Sequence, residues 1–263
     1  MQRSTRVKTL VRKFRIYYAK NHLNSSLRVP DDYNSIYHVH IRKSAGSSIN
    51  NLFYLKGHTS LKEIYREPIY IKKGYVYVQH NKELIEKGMY YYASSHFPLW
   101  DLKLDPDTFT FTILRDPVDR LISLYKYYCW VAQVDPNEGM KSDPSYQTLI
   151  KQERLLNKSF REFVGELSNK YLHAQLYTFD KDLNMDSALK RLSKVNRVYF
   201  FEDIGAAINE LSTYFNLPVD SITRERQFKQ VTYYVGEDDR TFAADLLKEE
   251  NMFYKSARRA YES

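Results

Sequence analysis

Lys43 stands in a run of small and polar residues, Arg42-Lys43-Ser44-Ala45-Gly46-Ser47-Ser48, between an apolar β-branched stretch and a helical pattern. Strand, small-residue loop and helix is the arrangement that sets free backbone N–H groups in front of an anion. The amides of Ala45 to Ser48 converge, in this reading, on a phosphate or sulfate. The hydroxyls of Ser44, Ser47 and Ser48 add donors, and Lys43 adds a full positive charge. Gly46 supplies backbone freedom. The nucleotide-kinase loop G-x-x-x-x-G-K-[ST] is missing, because Lys43 precedes the glycine. A lysine solvated in a surface turn accounts for Lys43 alone equally well.

Arg115 follows the apolar run Thr108 to Leu114 directly and precedes a helix that opens on Asp116 and Pro117. Aspartate is a good N-cap, and proline suits the first helical position. Ligands of open α/β sheets bind beyond the carboxyl ends of strands. Ser123 lies two helical turns beyond Asp116, on the same face. An arginine fork and a serine hydroxyl can clamp one phosphate from two sides. The alternative pairs Arg115 with Asp119 or Glu202 and leaves Ser123 to packing.

His96, in Ser94-Ser95-His96-Phe97-Pro98, follows another strand candidate. An imidazole, with a reference pKa of about 6.5, suits a general base. A surface or capping histidine explains the residue taken alone. His38 and His40 share one face of the first strand. As a metal pair they lack third and fourth ligands, so no metal is expected. His58 and His80 show no constellation.

The elements that must position these groups alternate. Ile36–Ile41, Met89–Ala93, Thr108–Leu114 and Arg197–Glu202 read as strands. Ile49–Leu55, the segment from Asp116 with its stripe of Val118, Leu121, Ile122 and Tyr125, Phe160–Leu167, Ile204–Phe215 and Asp239–Tyr261 read as helices. The polar stretch 135–147 reads as a loop long enough for a lid. The expected fold is α/β, with an open, mostly parallel sheet flanked by helices. One domain is expected over 36–263. A basic segment over 1–35 packs on it, with Val7, Leu10, Val11, Phe14 and Tyr17 on one side.

Composition narrows the partners. The chain has 263 residues and a net charge of +8, which suits a polyanionic ligand or surface. Its single cysteine, Cys129, allows no internal disulfide and reads as a packed thiol. No run of about 18 apolar residues marks a membrane span, and the basic N-terminus lacks the apolar core of a signal peptide. No nucleic-acid motif is present, and alternating Lys and Glu over 62–87 read as a solvated face. Peripheral membrane contact stays open, and oligomeric state is unspecified. Two alternatives to the reading below remain. One is an ATP- and Mg²⁺-dependent small-molecule kinase. The other is a non-enzymatic binder of polyanions or anionic membranes.

Taken together, the motifs resemble one family. HIRKSAGSSI resembles the 5′-phosphosulfate loop, usually x-P-K-T-A-G-T-S, of the sulfotransferase family that includes the heparan sulfate 2-O-sulfotransferases, the carbohydrate sulfotransferases and bacterial relatives. TILRDPVDRLISLYKYY is similar to that family's 3′-phosphate element, an arginine followed eight residues later by a serine. SSHFPL resembles its G-H-F-P-L segment, and the tail LLKEENMFYKSARRAY is similar to its C-terminal helix. Arg42, Ser44 and Ser95 depart from the usual proline, threonine and glycine.

The resemblance implies a P-loop-NTPase-like sheet and 3′-phosphoadenosine-5′-phosphosulfate (PAPS) as donor. It implies sulfo transfer to a hydroxyl or amine of a small natural product or glycan. His96 is then the catalytic base and Lys43 the cation on the leaving oxygen. Arg42 to Ser48 hold the phosphosulfate, and Arg115 and Ser123 hold the 3′-phosphate, without a metal. Arg224, Arg226, Lys229 and Thr232 are candidates to close over the nucleotide. Acceptor contacts are expected from 56–80 and 130–157. The expected setting is the cytoplasm of a bacterium, since the family's Golgi members carry an anchor not found here.

Overall fold

Runs of β-branched and aromatic residues become strands, and the apolar patterning of the central ones reflects burial on both faces. These are β1 (Ser35–Val39), β2 (Ile69–Lys72), β3 (Tyr75–Gln79), β4 (Tyr92–Ser95), β5 (Thr108–Leu114) and β6 (Arg197–Phe200). They form one sheet in the order β2-β3-β4-β1-β5-β6. All neighbours are parallel except β2 and β3, an antiparallel hairpin at the edge. The sequence places no strand between Ile41 and Met89, so this hairpin is an addition to the expected sheet. It turns through Lys73 (φ 50°) and Gly74 (φ 84°). Positive φ at both central residues is what a tight hairpin turn of the right twist requires.

The computed structural model describes residues 29–30, 33–65, 68–218 and 231–261, with Val11 and Phe14. Most of the basic segment over 1–35, and Arg224, Arg226 and Lys229, lie outside the described residues. Among the described residues, no helix is long and apolar enough to cross a membrane.

The main helices are α1 (Gly46–Lys56), α2 (Pro117–Gln133), α3 (Ala174–Phe179), α4 (Met185–Leu192), α5 (Ile204–Phe215), α6 (Glu237–Leu246) and α7 (Lys248–Tyr261). Successive side chains of β1 leave on opposite faces. Ile36 packs with Leu52 and Phe53 of α1 and Leu211 and Phe215 of α5. Tyr37 and Val39 pack with Leu176 of α3, Leu192 of α4 and Phe253 of α7. The sheet is thus sandwiched between helices, as an α/β fold requires. Each fully buried large side chain of this kind contributes about 1.5–3 kcal/mol. A third cluster packs Leu121, Tyr128 and Val131 of α2 against Phe160, Phe163 and Ala243.

Asp116 caps α2 as the sequence predicts, its carboxylate accepting from the Asp119 N–H at 3.0 Å. The stretch 135–147 differs from the loop expected there. It holds helices Pro136–Ser142 and Tyr146–Leu149. Asp135 accepts from the N–H groups of Asn137 and Glu138, at 2.9 and 3.1 Å. Asp135-Pro136 is therefore the same start signal as Asp116-Pro117.

Candidate active site

The loop leaving β1 is the strained part of the backbone. Lys43 (φ 68°) and Ala45 (φ 59°) both adopt the left-handed conformation, which costs a non-glycine residue roughly 1–2 kcal/mol. The surrounding structure holds them there, since Arg115 Nη1 donates to the Lys43 carbonyl at 3.0 Å. That bond joins the two candidate motifs, which lie 72 residues apart in sequence. The N–H groups of Ser48 and Ile49 return to the Ala45 carbonyl at 3.0 and 3.2 Å and start α1. The Ser48 amide, expected to face an anion, is thus already engaged. Ser44 Oγ and Arg115 Nε are buried and, among the described residues, have no hydrogen-bond partner. Two orphaned donors beside a helix N-terminus fit an oxyanion.

Gly46 has another role than the one expected. It is helical and does not take a positive φ. A Cβ built on it would lie 1.7 Å from His40 Nε2. Glycine is required here because the His40 ring occupies the space of a side chain. Lys43 Nζ sits 4.3 Å from the centre of the Tyr127 ring on α2. The Tyr127 hydroxyl in turn donates to Asp143 Oδ2 at 2.5 Å.

Arg115 stacks on Phe201, 4.1 Å from the ring centre. The two carboxylates named above as alternative partners, Asp119 and Glu202, bond elsewhere. Asp119 pairs with Arg240 at 3.2 Å. Glu202 accepts from the Asp116 N–H at 2.9 Å and from the Tyr254 hydroxyl at 2.8 Å. Among the described residues, no carboxylate forms an ion pair with Arg115. Ser123 is half-buried on α2. Thr232 lies where its backbone meets the Gln133 side chain, its N–H donating at 3.0 Å.

His96 follows β4. Its Nδ1 is 2.7 Å from the His40 carbonyl oxygen. A carbonyl can only accept, so Nδ1 carries the proton and Nε2 is left with its lone pair. The His40 ring stands 4.3 Å from the His96 ring, and the His80 ring 5.4 Å from it. His80 enters this group from the end of β3, although no constellation was legible for it in the sequence. Burial, with Arg42 and His80 nearby, holds His96 well below the usual histidine range. Burial also holds His40 well below it and lowers His80 and His38 to about 4. The four rings are therefore neutral near pH 7. Among the described residues, no group of three His, Cys, Asp or Glu could hold a metal.

The His40, His80 and His96 rings line a cleft of about 530 Å³. Trp100, Tyr171 and Tyr177 also line it. Arg42 and Lys170 lie over the Tyr171 ring, 5.3 and 5.2 Å from its centre. Trp100 Nε1 donates to the Tyr177 carbonyl at 2.7 Å and ties the wall together. Arg42 thus belongs to the cleft beside His96. Of the ranges expected to contact an acceptor, only His80 among the described residues lines this cleft, and the rest of the lining comes from 40–42, 96–101 and 170–178. Of the lining beyond 40–42 and His96, the motifs marked only Phe97 and Pro98, in SSHFPL; the residues of 170–178 carry no motif and meet the histidines only through the fold.

A model of the sulfotransferase family matches residues 25–250. The crystal structure of a sulfotransferase from Alicyclobacillus acidocaldarius is similar over 86% of this chain and 98% of its own, at 13% identity and a TM-score of 0.42. That of mouse sulfotransferase SULT7A1 complexed with PAP is similar over 90% of this chain and 72% of its own, at 12% identity and a TM-score of 0.39. No curated protein sequence matches.

Proposed function

Because the chain belongs to the sulfotransferase family, we propose that it moves a sulfo group from PAPS to a hydroxyl or amine of a small natural product or glycan held in the histidine-lined cleft. The observation that carries this reading is the bond from His96 Nδ1 to the His40 carbonyl at the edge of that cleft. It fixes the tautomer a general base needs, with Nε2 free to take a proton.

In this reading the acceptor oxygen or nitrogen forms a bond to sulfur as the bond from sulfur to the 5′-phosphate oxygen breaks. His96 Nε2 takes the acceptor's proton. Lys43 meets the charge that develops on the departing oxygen. Ser44 Oγ, Ser47, Ser48 and the amides at the start of α1 hold the phosphosulfate, and Arg115 with Ser123 holds the 3′-phosphate. The orphaned Ser44 Oγ and Arg115 Nε support that assignment. Phosphosulfate is activated by its own leaving group, so these residues need only orient it and meet its charge, without a metal.

The test is calorimetric titration with adenosine 3′,5′-bisphosphate, beside adenosine 5′-phosphate and ATP with Mg²⁺. Micromolar or tighter binding of the bisphosphate, lost in Arg115→Ala, is the expected result. Preference for ATP with Mg²⁺ would replace this reading with a kinase. Absence of nucleotide binding would favour a polyanion binder.

A further inference from the structure

Gln175 belongs to α3, whose Ala174, Tyr177 and Thr178 line the cleft. Its own amide instead clasps the backbone of Arg115. Oε1 accepts from the Arg115 N–H at 2.8 Å, and Nε2 donates to the Arg115 carbonyl at 2.8 Å. Gln175 is fully buried. An amide buried so deeply costs free energy unless both its ends are bonded, and here both are. Nε2 also approaches Glu250 Oε1 at 3.3 Å, as does the Gln175 N–H.

Glu250 pairs with Arg120 at 3.5 Å, and neither side chain is exposed. Arg120 Nη2 donates to the carbonyls of Tyr171 and Leu172 at 3.1 and 2.5 Å. The segment 115–120 and the segment 171–175 are therefore fastened at both ends. One contains the arginine of the anion site. The other begins with Tyr171, the ring beneath Arg42 in the cleft.

We propose that Gln175 is a positioning residue for Arg115, and that the Gln175–Glu250–Arg120 network makes the anion grip and the cleft wall one unit, so that filling the first orders the second. The inference rests on the reading of Arg115 as the 3′-phosphate ligand. A bidentate clasp fixes both the N–H and the C=O of a residue, so its loss releases the direction of the Arg115 side chain as well as its position.

Two measurements test it. In Gln175→Met, affinity for adenosine 3′,5′-bisphosphate should fall about tenfold while affinity for adenosine 5′-phosphate stays within about twofold. A merely destabilised chain would lose both alike. In the unaltered chain, saturating bisphosphate should slow amide hydrogen exchange over 171–178. Bisphosphate binding without that slowing, or unchanged selectivity in Gln175→Met, overturns the inference and leaves the donor reading standing. Failure of the unaltered chain to bind the bisphosphate overturns the donor reading itself, and this inference with it.

Discussion

Replacing Gly46 by alanine sets two effects against each other. Alanine is the better helix former by up to about 1 kcal/mol, and Gly46 is the first residue of α1. Against that stands the His40 ring. The added Cβ would lie 1.7 Å from Nε2, 2.0 Å from Cδ2 and 2.5 Å from Cε1, whereas real Cβ contacts stay above 3.0 Å. The ring must retreat by roughly 1.3 Å. Its retreat is restricted by the His38 ring, stacked 5.1 Å away, and by the His96 ring at 4.3 Å. Overpacking of this kind costs about 1–3 kcal/mol, which outweighs the gain in propensity. The rate suffers more than the stability. His96 hangs on the His40 carbonyl, and a misplacement near 1 Å costs about a hundredfold in turnover. Gly205→Ala is the control, since nothing lies within 4 Å of its added Cβ. It should be neutral or stabilising by up to about 1 kcal/mol. Denaturant unfolding and release of adenosine 3′,5′-bisphosphate measure the two quantities. A Gly46→Ala chain as stable and as active as the parent would refute the packing argument.

His96→Ala should abolish sulfo transfer and leave bisphosphate affinity within about twofold; retained turnover removes it as the base. Because burial holds His96 well below the usual range, the acid limb of the rate profile should lie well below pH 6.5, as a base works only in its neutral form; a limb at or above 6.5 contradicts this. The folded pKa of His38 is about 4 against 6.5 for the free residue. The unfolded chain therefore takes up this proton first as pH falls, and stability should drop by about 3 kcal/mol between pH 6.5 and 4 on this account alone. Denaturant unfolding of His38→Gln at the two pH values should show that share of the slope missing. Arg120→Met strands the buried Glu250 carboxylate and should cost about 3–5 kcal/mol, with part recovered in the Arg120→Met, Glu250→Leu double variant; a single variant within 1 kcal/mol of the parent would show the pair to be dispensable.

Local chemistry made much of this protein legible in its residues. The apolar runs that became β1, β4, β5 and β6 need no partner to be recognised, because burial on both faces writes itself into the run. Asp116-Pro117 announces a helix through its own cap. Lys43 to Ser48, Arg115 and His96 follow strands, and the end of a parallel strand is where such sheets gather chemistry. The β2–β3 hairpin was missed because its turn is Lys73-Gly74 instead of a strong turn pair. The helix at Pro136–Ser142 was missed although Asp135-Pro136 repeats a signal that had been read correctly at Asp116.

Other features lie in no local pattern. Gly46 looks like a flexible loop residue until the His40 ring is seen against its Cα. His80 joins His96 only because β3 lies beside β4. Gln175 and Glu250 reach Arg115 and Arg120 across 60 and 130 residues of chain. By itself the sequence determined β1, β4, β5 and β6 through short-range propensity, and it marked Lys43 to Ser48, Arg115 and His96 as candidates through motifs that resemble a family. Only the tertiary structure decided which histidines surround His96, what fastens Arg115 and which residues wall the cleft, because those depend on contacts between segments that no local signal connects.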